Sequence, residues 1–302
     1  MYTERKKGVA VVSAGVLVIS VDALLVRLAH TDSWNVVFWR GLFIFISLGL
    51  LLGIRSGRHL LSVFMRGGWA AFFSSVLFGL GGTLFVSSVM YTRVANTVVI
   101  ISSAPLFAAL FTRLFLKEAV PLRTWSAIGV GIGGVVLVFS GSLGGGGLPG
   151  DVIAVLAACN VGANFTLLRR RGDLDRMPLV CAGGLVMAMI ALPFAQPWGL
   201  APESYIALGT MGLLQMPLAL FLIAQSTRFL PSPEVSLFLL VETVLSPIWV
   251  WLVLGEEPPG LTLVGAAMIV PTLVVHSWMG MRHRAPVAPV TPELPPSAPV
   301  QK

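Results

Sequence analysis

Residues 234–256 read EVSLFLLVETVLSPIWVWLVLGE, and residues 96–118 read NTVVIISSAPLFAALFTRLFLKE. Set one on the other at an offset of 138 positions, Leu114 falls on Leu252, Leu116 on Leu254, Glu118 on Glu256 and Pro121 on Pro259. Each stretch is an apolar run of helix length that ends Leu-x-Leu-x-Glu, with Pro three residues beyond the Glu. Runs this long and this apolar belong in a bilayer rather than on the surface of a soluble protein.

The rest of the chain has the same character. Of 302 residues, 56% are hydrophobic and only 11% charged, and mean hydropathy is +0.89. That charge cannot cover a soluble surface of this size, so the composition specifies an integral membrane protein with short loops. The net charge of +7 suits cytoplasmic Lys/Arg loops and does not point to nucleic acid. Cys159 and Cys181 fall inside apolar runs and read as small apolar residues, with no disulfide framework. Arg5-Lys6-Lys7 before an apolar run resembles a signal peptide. The run continues to Leu28 without a small-residue cleavage pattern, so an uncleaved first helix is expected.

Apolar windows between charged or Gly/Pro punctuation predict ten spans, at 8–28, 34–54, 68–91, 95–116, 122–140, 150–169, 176–196, 204–226, 234–254 and 260–279. A Gly-rich linker, 141–149, separates a first five-helix unit, 8–140, from a second, 150–279. Residues 280–302 are rich in proline and are expected to be a disordered tail. With the N-terminus inside, 17 of the 20 Lys and Arg lie on the cytoplasmic side; Arg27 and Arg93 fall outside and Arg40 within the second span. Both termini are therefore expected in the cytoplasm of a multi-pass inner-membrane protein. An odd number of spans per unit makes the two units antiparallel, with Glu118 inside and Glu256 outside. This is the inverted-repeat plan of secondary transporters, with a central site where the halves meet.

The run Ser-Ser-Ala-Pro-Leu-Phe-Ala-Ala-Leu-Phe-Thr-Arg-Leu-Phe-Leu-Lys-Glu (102–118), followed by Gly129, Gly131, Gly133 and Gly134, resembles the first half of the EamA-type drug/metabolite transporters. Leu-Leu-Val-Glu-Thr (239–243), Trp-Leu-Val-Leu-Gly-Glu (251–256) and Gly265 resemble the second half, and Phe38-Trp39-Arg40-Gly41 matches an arginine that the family often carries early in its second helix. The resemblance covers residues 8–279. It implies ten helices, a central cavity and export of a small metabolite, with the aromatic amino acid exporters as near relatives. One departure stands out. The second copy often reads Glu-Pro, and here Glu242 is followed by Thr243, with Pro247 one turn on; the first copy has Ala104 and Pro105 at the matching positions.

Ionisable groups at membrane depth cost at least ~2.5 kcal/mol on insertion scales, so each needs a reason. Asp22, near the end of span one, and Arg40, near the start of span two, fall at matching depths of an antiparallel hairpin. They read either as a gate, substrate clamp or coupling pair, or as a structural ion pair. Glu242 lies in span nine, with Ser246 and Trp249 along the same face. It reads either as a holder of a proton or substrate ammonium group, or as a carboxylate stitching helices together. Asn160 and Asn164 share a face of span six, Asn96 and Ser103 a face of span four, Thr83 lies in a small polar stripe on span three with Ser75, Gly79 and Ser87, and Gln215 is central in span eight. Each alone reads as interhelical glue; together they fit a polar-lined substrate cavity. Gly129 and Gly133, answered by Gly265, read as a close-packing face. Glu118, Glu256 and Glu257 read as structural signatures at helix ends.

The sequence holds no His/Cys/carboxylate cluster with metal-ligand spacing, no phosphate-binding Gly-rich loop and no nucleophile–base couple. An enzyme is not expected, nor a cofactor or metal. The expectation is a monomeric, ten-helix, all-α secondary transporter built from two inverted five-helix repeats around a central cavity. Its partners are the lipid bilayer and a small neutral or zwitterionic solute such as an amino acid. A lipid scramblase or a passive channel is the competing reading.

Overall fold

A computed structural model of the chain describes residues 2–56, 59–117, 122–143, 146–171, 174–230 and 232–282. Glu118, Pro121, Gly144, Gly145 and the proline-rich tail from His283 lie outside these residues.

Among the described residues all regular structure is helical. In a bilayer core each segment must satisfy its own backbone N–H and C=O groups, and a helix does so without a partner strand. The first five spans are α1 (Tyr2–Ser20) with α2 (Asp22–Leu28), α3 (Ser33–Ser56), α4 (His59–Tyr91), α5 (Val94–Ser102) with α6 (Ala104–Phe115), and α7 (Leu122–Ser142). Spans six and seven are α8 (Leu148–Arg170) and α9 (Arg176–Ala191). Span eight joins α10 (Pro202–Gly209), a π-helical stretch over Thr210–Gln215 and α11 (Met216–Ser226), and α12 (Ser232–Leu254) and α13 (Gly260–Arg282) complete the set.

Nine of these spans are long and apolar enough to cross a membrane, and α9, at 16 residues, is shorter. Its expected extent was 176–196. The Asp175 carboxylate caps its start by accepting the Met177 N–H. Pro193 ends it, because proline has no N–H for the ladder, and the chain turns over with Phe194 and Ala195 both donating to Ala191 O. The helices also run into the expected linker and tail, since α7 reaches Ser142, α8 begins at Leu148 and α13 continues to Arg282.

Span three is kinked near its start at Gly68 (φ 52°, ψ −136°), and three other spans are interrupted along their length. Span one breaks at Val21 (φ −83°, ψ 0°). Span four breaks at Ser103, where Pro105 begins a new helix. Span eight widens before Pro217, and the Met216 N–H reaches back five residues to Met211 O. Span nine, the counterpart of span four, stays a single helix through Glu242 and contains Pro247 without a break.

The packing obeys an internal exchange symmetry. Span three packs on span six as span eight packs on span one, span four packs on six as nine packs on one, and spans two and seven, like five and ten, pack on each other. Swapping the halves maps these contacts onto themselves, and with five spans per half the swap inverts direction. Glycine permits the two self-paired crossings. A Cβ on Gly41 would stand 2.6 Å from Gly184 O, and one on Gly265 would stand 2.8 Å from Gly134 O. The backbones touch there as small-residue membrane interfaces allow. The glycines expected on this face of span five, Gly129 and Gly133, are displaced from it: Gly129 meets nothing within 4 Å and Gly133 only Met268 at 3.5 Å. One residue of helix rotation moves the crossing to Gly134.

Candidate functional site

Between the halves lies a cavity of about 270 Å³ whose wall includes Asp22, Arg40, Glu242, Asn160 and Asn164, together with Phe78, Phe85 and Phe165. Five spans supply these side chains. The break in span one puts Asp22 in the first turn of α2, where the helix dipole favours a negative charge. The break itself is held from two sides: Gln215 Nε2 donates to Val18 O at 3.2 Å and Ile19 O at 3.4 Å, and Trp249 Nε1 donates to Ser20 Oγ at 2.9 Å.

Arg40 on α3 donates from Nη2 to Asp22 Oδ2 at 2.8 Å and from Nη1 to Met211 Sδ at 3.5 Å. Its guanidinium lies over the Phe85 ring at 5.4 Å from the centroid. Both members of the pair are buried. Glu242 on α12 lines the same cavity as Asp22 and Arg40, and it makes no hydrogen bond or ion pair with a described residue. On α8, Asn160 Nδ2 donates to Leu77 O at 2.8 Å and Asn164 Oδ1 accepts from Ser74 Oγ at 2.8 Å. Gly81 makes room for the first of these, since a Cβ there would stand 2.8 Å from Asn160 Nδ2.

The remaining sequence candidates do not line this cavity. Thr83 Oγ1 donates to Gly79 O of its own helix. Gln215 is spent on the span-one break. Ser103 Oγ donates to Ile100 O and borders an apolar recess of about 220 Å³ between α6, α7 and α8. Asn96 belongs to a different polar cluster, centred on a residue that sequence reasoning passed over, Asp151.

Asp151 is fully buried. Thr92 Oγ1 donates to its Oδ1 at 2.6 Å and Asn96 Nδ2 at 3.1 Å, while Asn96 Oδ1 accepts from Thr262 Oγ1 at 2.6 Å. Glu256 adjoins the cluster. It accepts the Val94 N–H at 2.8 Å, capping α5 from the other half of the molecule, and pairs with Arg27 at 3.1 Å. Arg27 Nη2 also donates to Thr92 O, and Arg93 to Glu257 O. Together these contacts tie the two halves shut across one face. The sequence signal for Asp151 was Gly150: a Cβ there would stand 2.5 Å from Thr92 N, so glycine lets α8 start against the end of α4. Toward the opposite face, Val180 lines both the central cavity and a second one of about 470 Å³ bounded by Asp175, Arg176 and Thr227.

Comparison with known proteins agrees with this architecture. The model of the EamA-like transporter family matches residues 6–140 and again 148–278. The chain is 27% identical over 186 residues to the uncharacterized transporter YdfC of Bacillus subtilis (strain 168), a match that spans 57% of this chain and 58% of that protein. It is 25% identical over 248 residues to the S-adenosylmethionine uptake transporter of Rickettsia conorii, covering 80% of this chain and 81% of that one. A solved crystal structure superposes with a TM-score of 0.62 over 93% of this chain and 99% of its own at 19% identity, which shows the shared fold. With both halves matched, the chain belongs to the EamA-like transporter family and is a multi-pass membrane transporter rather than an enzyme.

Proposed function

We propose that the protein is a secondary transporter that carries a small zwitterionic solute such as an amino acid through the central cavity by alternating access. The observation that carries this is the placing of three ionisable side chains, Asp22, Arg40 and Glu242, in one cavity between inverted halves. Such groups are costly at that depth, and where a membrane protein retains them they mark a solute or ion path by default. A zwitterion also crosses without net work against the membrane potential, whereas each net charge costs ~2.3 kcal/mol per 100 mV.

The excess of Lys and Arg on one side supports cytoplasmic termini and puts the Arg27–Glu256 face outside. The arrangement then reads as the externally closed state, with the outer face tied by Arg27, Glu256 and the Asp151 cluster. Outward transport rests on the resemblance to amino acid exporters alone, and one relative is named as an uptake transporter. Direction in the cell follows the gradients that drive a carrier. The inward-facing placement of Asn160 and Asn164 disfavours a scramblase, which needs a polar groove open to lipid.

The test is counterflow in proteoliposomes loaded with a labelled amino acid panel. External unlabelled solute accelerates release of internal label from a carrier. A channel shows no such acceleration, and a scramblase moves labelled phospholipid instead.

A further inference from the structure

The polar atoms left over in the cavity are unequal in kind. Among the described residues Glu242 has no hydrogen-bond or ion-pair partner, and Asp22 Oδ1 and Asn160 Oδ1 are buried acceptors that receive no hydrogen bond. Among the described residues that line the cavity, the donors set against them are Arg40 Nε, also without a partner, and the Asn164 amide. Two carboxylates face one guanidinium, and that guanidinium is already engaged by Asp22 Oδ2, Met211 Sδ and the Phe85 ring.

We infer that this cavity recognises the positive end of its solute, an ammonium or other organic cation seated on Glu242, and that a free carboxylate on the solute is not required. The inference rests on the reading of the central cavity as the transport site and names the part of the solute that the site reads, an ammonium group on an apolar body, which a zwitterionic amino acid and a simple amine both carry. A solute carboxylate finds only Arg40 Nε and the Asn164 amide to receive it, on a guanidinium whose charge Asp22 already balances, so it enters as a further negative charge beside two carboxylates. A solute cation displaces nothing, because Glu242 pairs with no described residue. Phe78, Phe85 and Phe165 complete the wall, and aromatic faces attract a cation while packing an apolar body.

The test uses the full chain in lipid nanodiscs and measures binding of four probes: phenethylamine, tetraethylammonium, phenylalanine and N-acetylphenylalanine. Phenethylamine is expected to bind at least as tightly as phenylalanine, and N-acetylphenylalanine at least ten-fold more weakly than either. Glu242→Gln is expected to weaken phenethylamine at least ten-fold, with Glu242→Asp recovering part of the loss. Tight binding of N-acetylphenylalanine, or failure of both cations to bind the native chain, overturns the inference. The probe series needs no variant, so it decides the matter even where Glu242→Gln fails to fold. Absence of amino acid counterflow with phenethylamine still bound would sink the zwitterion carrier and leave this inference standing.

Discussion

Arg40 and Asp22 meet at 2.8 Å in the interior, one from the second span and one from a break in the first. Each is tolerable there only because of the other. Removing one member of a buried pair costs ~3–5 kcal/mol, because it strands the remaining charge.

Asp22→Arg and Arg40→Asp are therefore each expected to lower the melting temperature sharply in detergent, and the double reversal is expected to restore most of the loss. A double variant no more stable than the singles would show that the surroundings, Met211 and Phe85 included, fix the sign of each charge.

The glycine crossings predict a contrast within one protein. Gly41→Ala drives a methyl group to 2.6 Å from Gly184 O and 2.7 Å from Ala188 N. Overpacking of this kind costs about 1–3 kcal/mol. Gly129→Ala meets nothing within 4 Å and is expected to leave thermal stability unchanged or raised. Equal effects of the two would contradict the packing described.

Spans, breaks and site residues were not equally legible in the sequence. Apolar length alone marks the spans, because a bilayer sets a minimum that few soluble segments meet. Asp22, Arg40, Glu242, Asn160 and Asn164 were readable as a set because charge or amide groups at depth demand partners, and all five line one cavity. Thr83 and Ser103 were not separable from them, since a hydroxyl in a helix can satisfy itself on a carbonyl three or four residues back. Gln215 and Asn96 carry amides just as Asn160 does, and only three-dimensional placement shows one spent on a helix break and the other on Asp151. Asp151 itself sat at a span end, where solvation is the ordinary expectation. The seventh span was overextended because the apolar run continues past Pro193, which stops the helix.

The tie across the Arg27 face yields a conformational prediction. Arg27 and Glu256 are both partly exposed, so their pair is worth only ~1 kcal/mol, or a roughly five-fold shift between states. Spin labels at Tyr91 and Leu261, both exposed residues flanking the tie, report its opening. Glu256→Gln is expected to populate a longer separation than the native chain shows. An unchanged distance distribution would remove Glu256 from the closure of this face.

The cavity wall can be altered without touching an ionisable group. Gly81→Leu pushes against Asn160 Nδ2, which stands 2.8 Å from the position of the new Cβ. Transport is expected to fall at least ten-fold, with a lower melting temperature as Asn160 is pushed off Leu77 O, both measured on the same preparation. Full transport by this variant would place the solute path elsewhere.

The proposed solute path runs through the cavity held by Glu242, with each crossing exchanging one face for the other. Counterflow of labelled phenylalanine, measured side by side for the native chain and Glu242→Gln in matched proteoliposomes, tests this path. External phenylalanine is expected to accelerate release from the native chain and not from the variant, with both proteins equally folded. Acceleration that survives in Glu242→Gln, or release from the native chain indifferent to external solute, would contradict it.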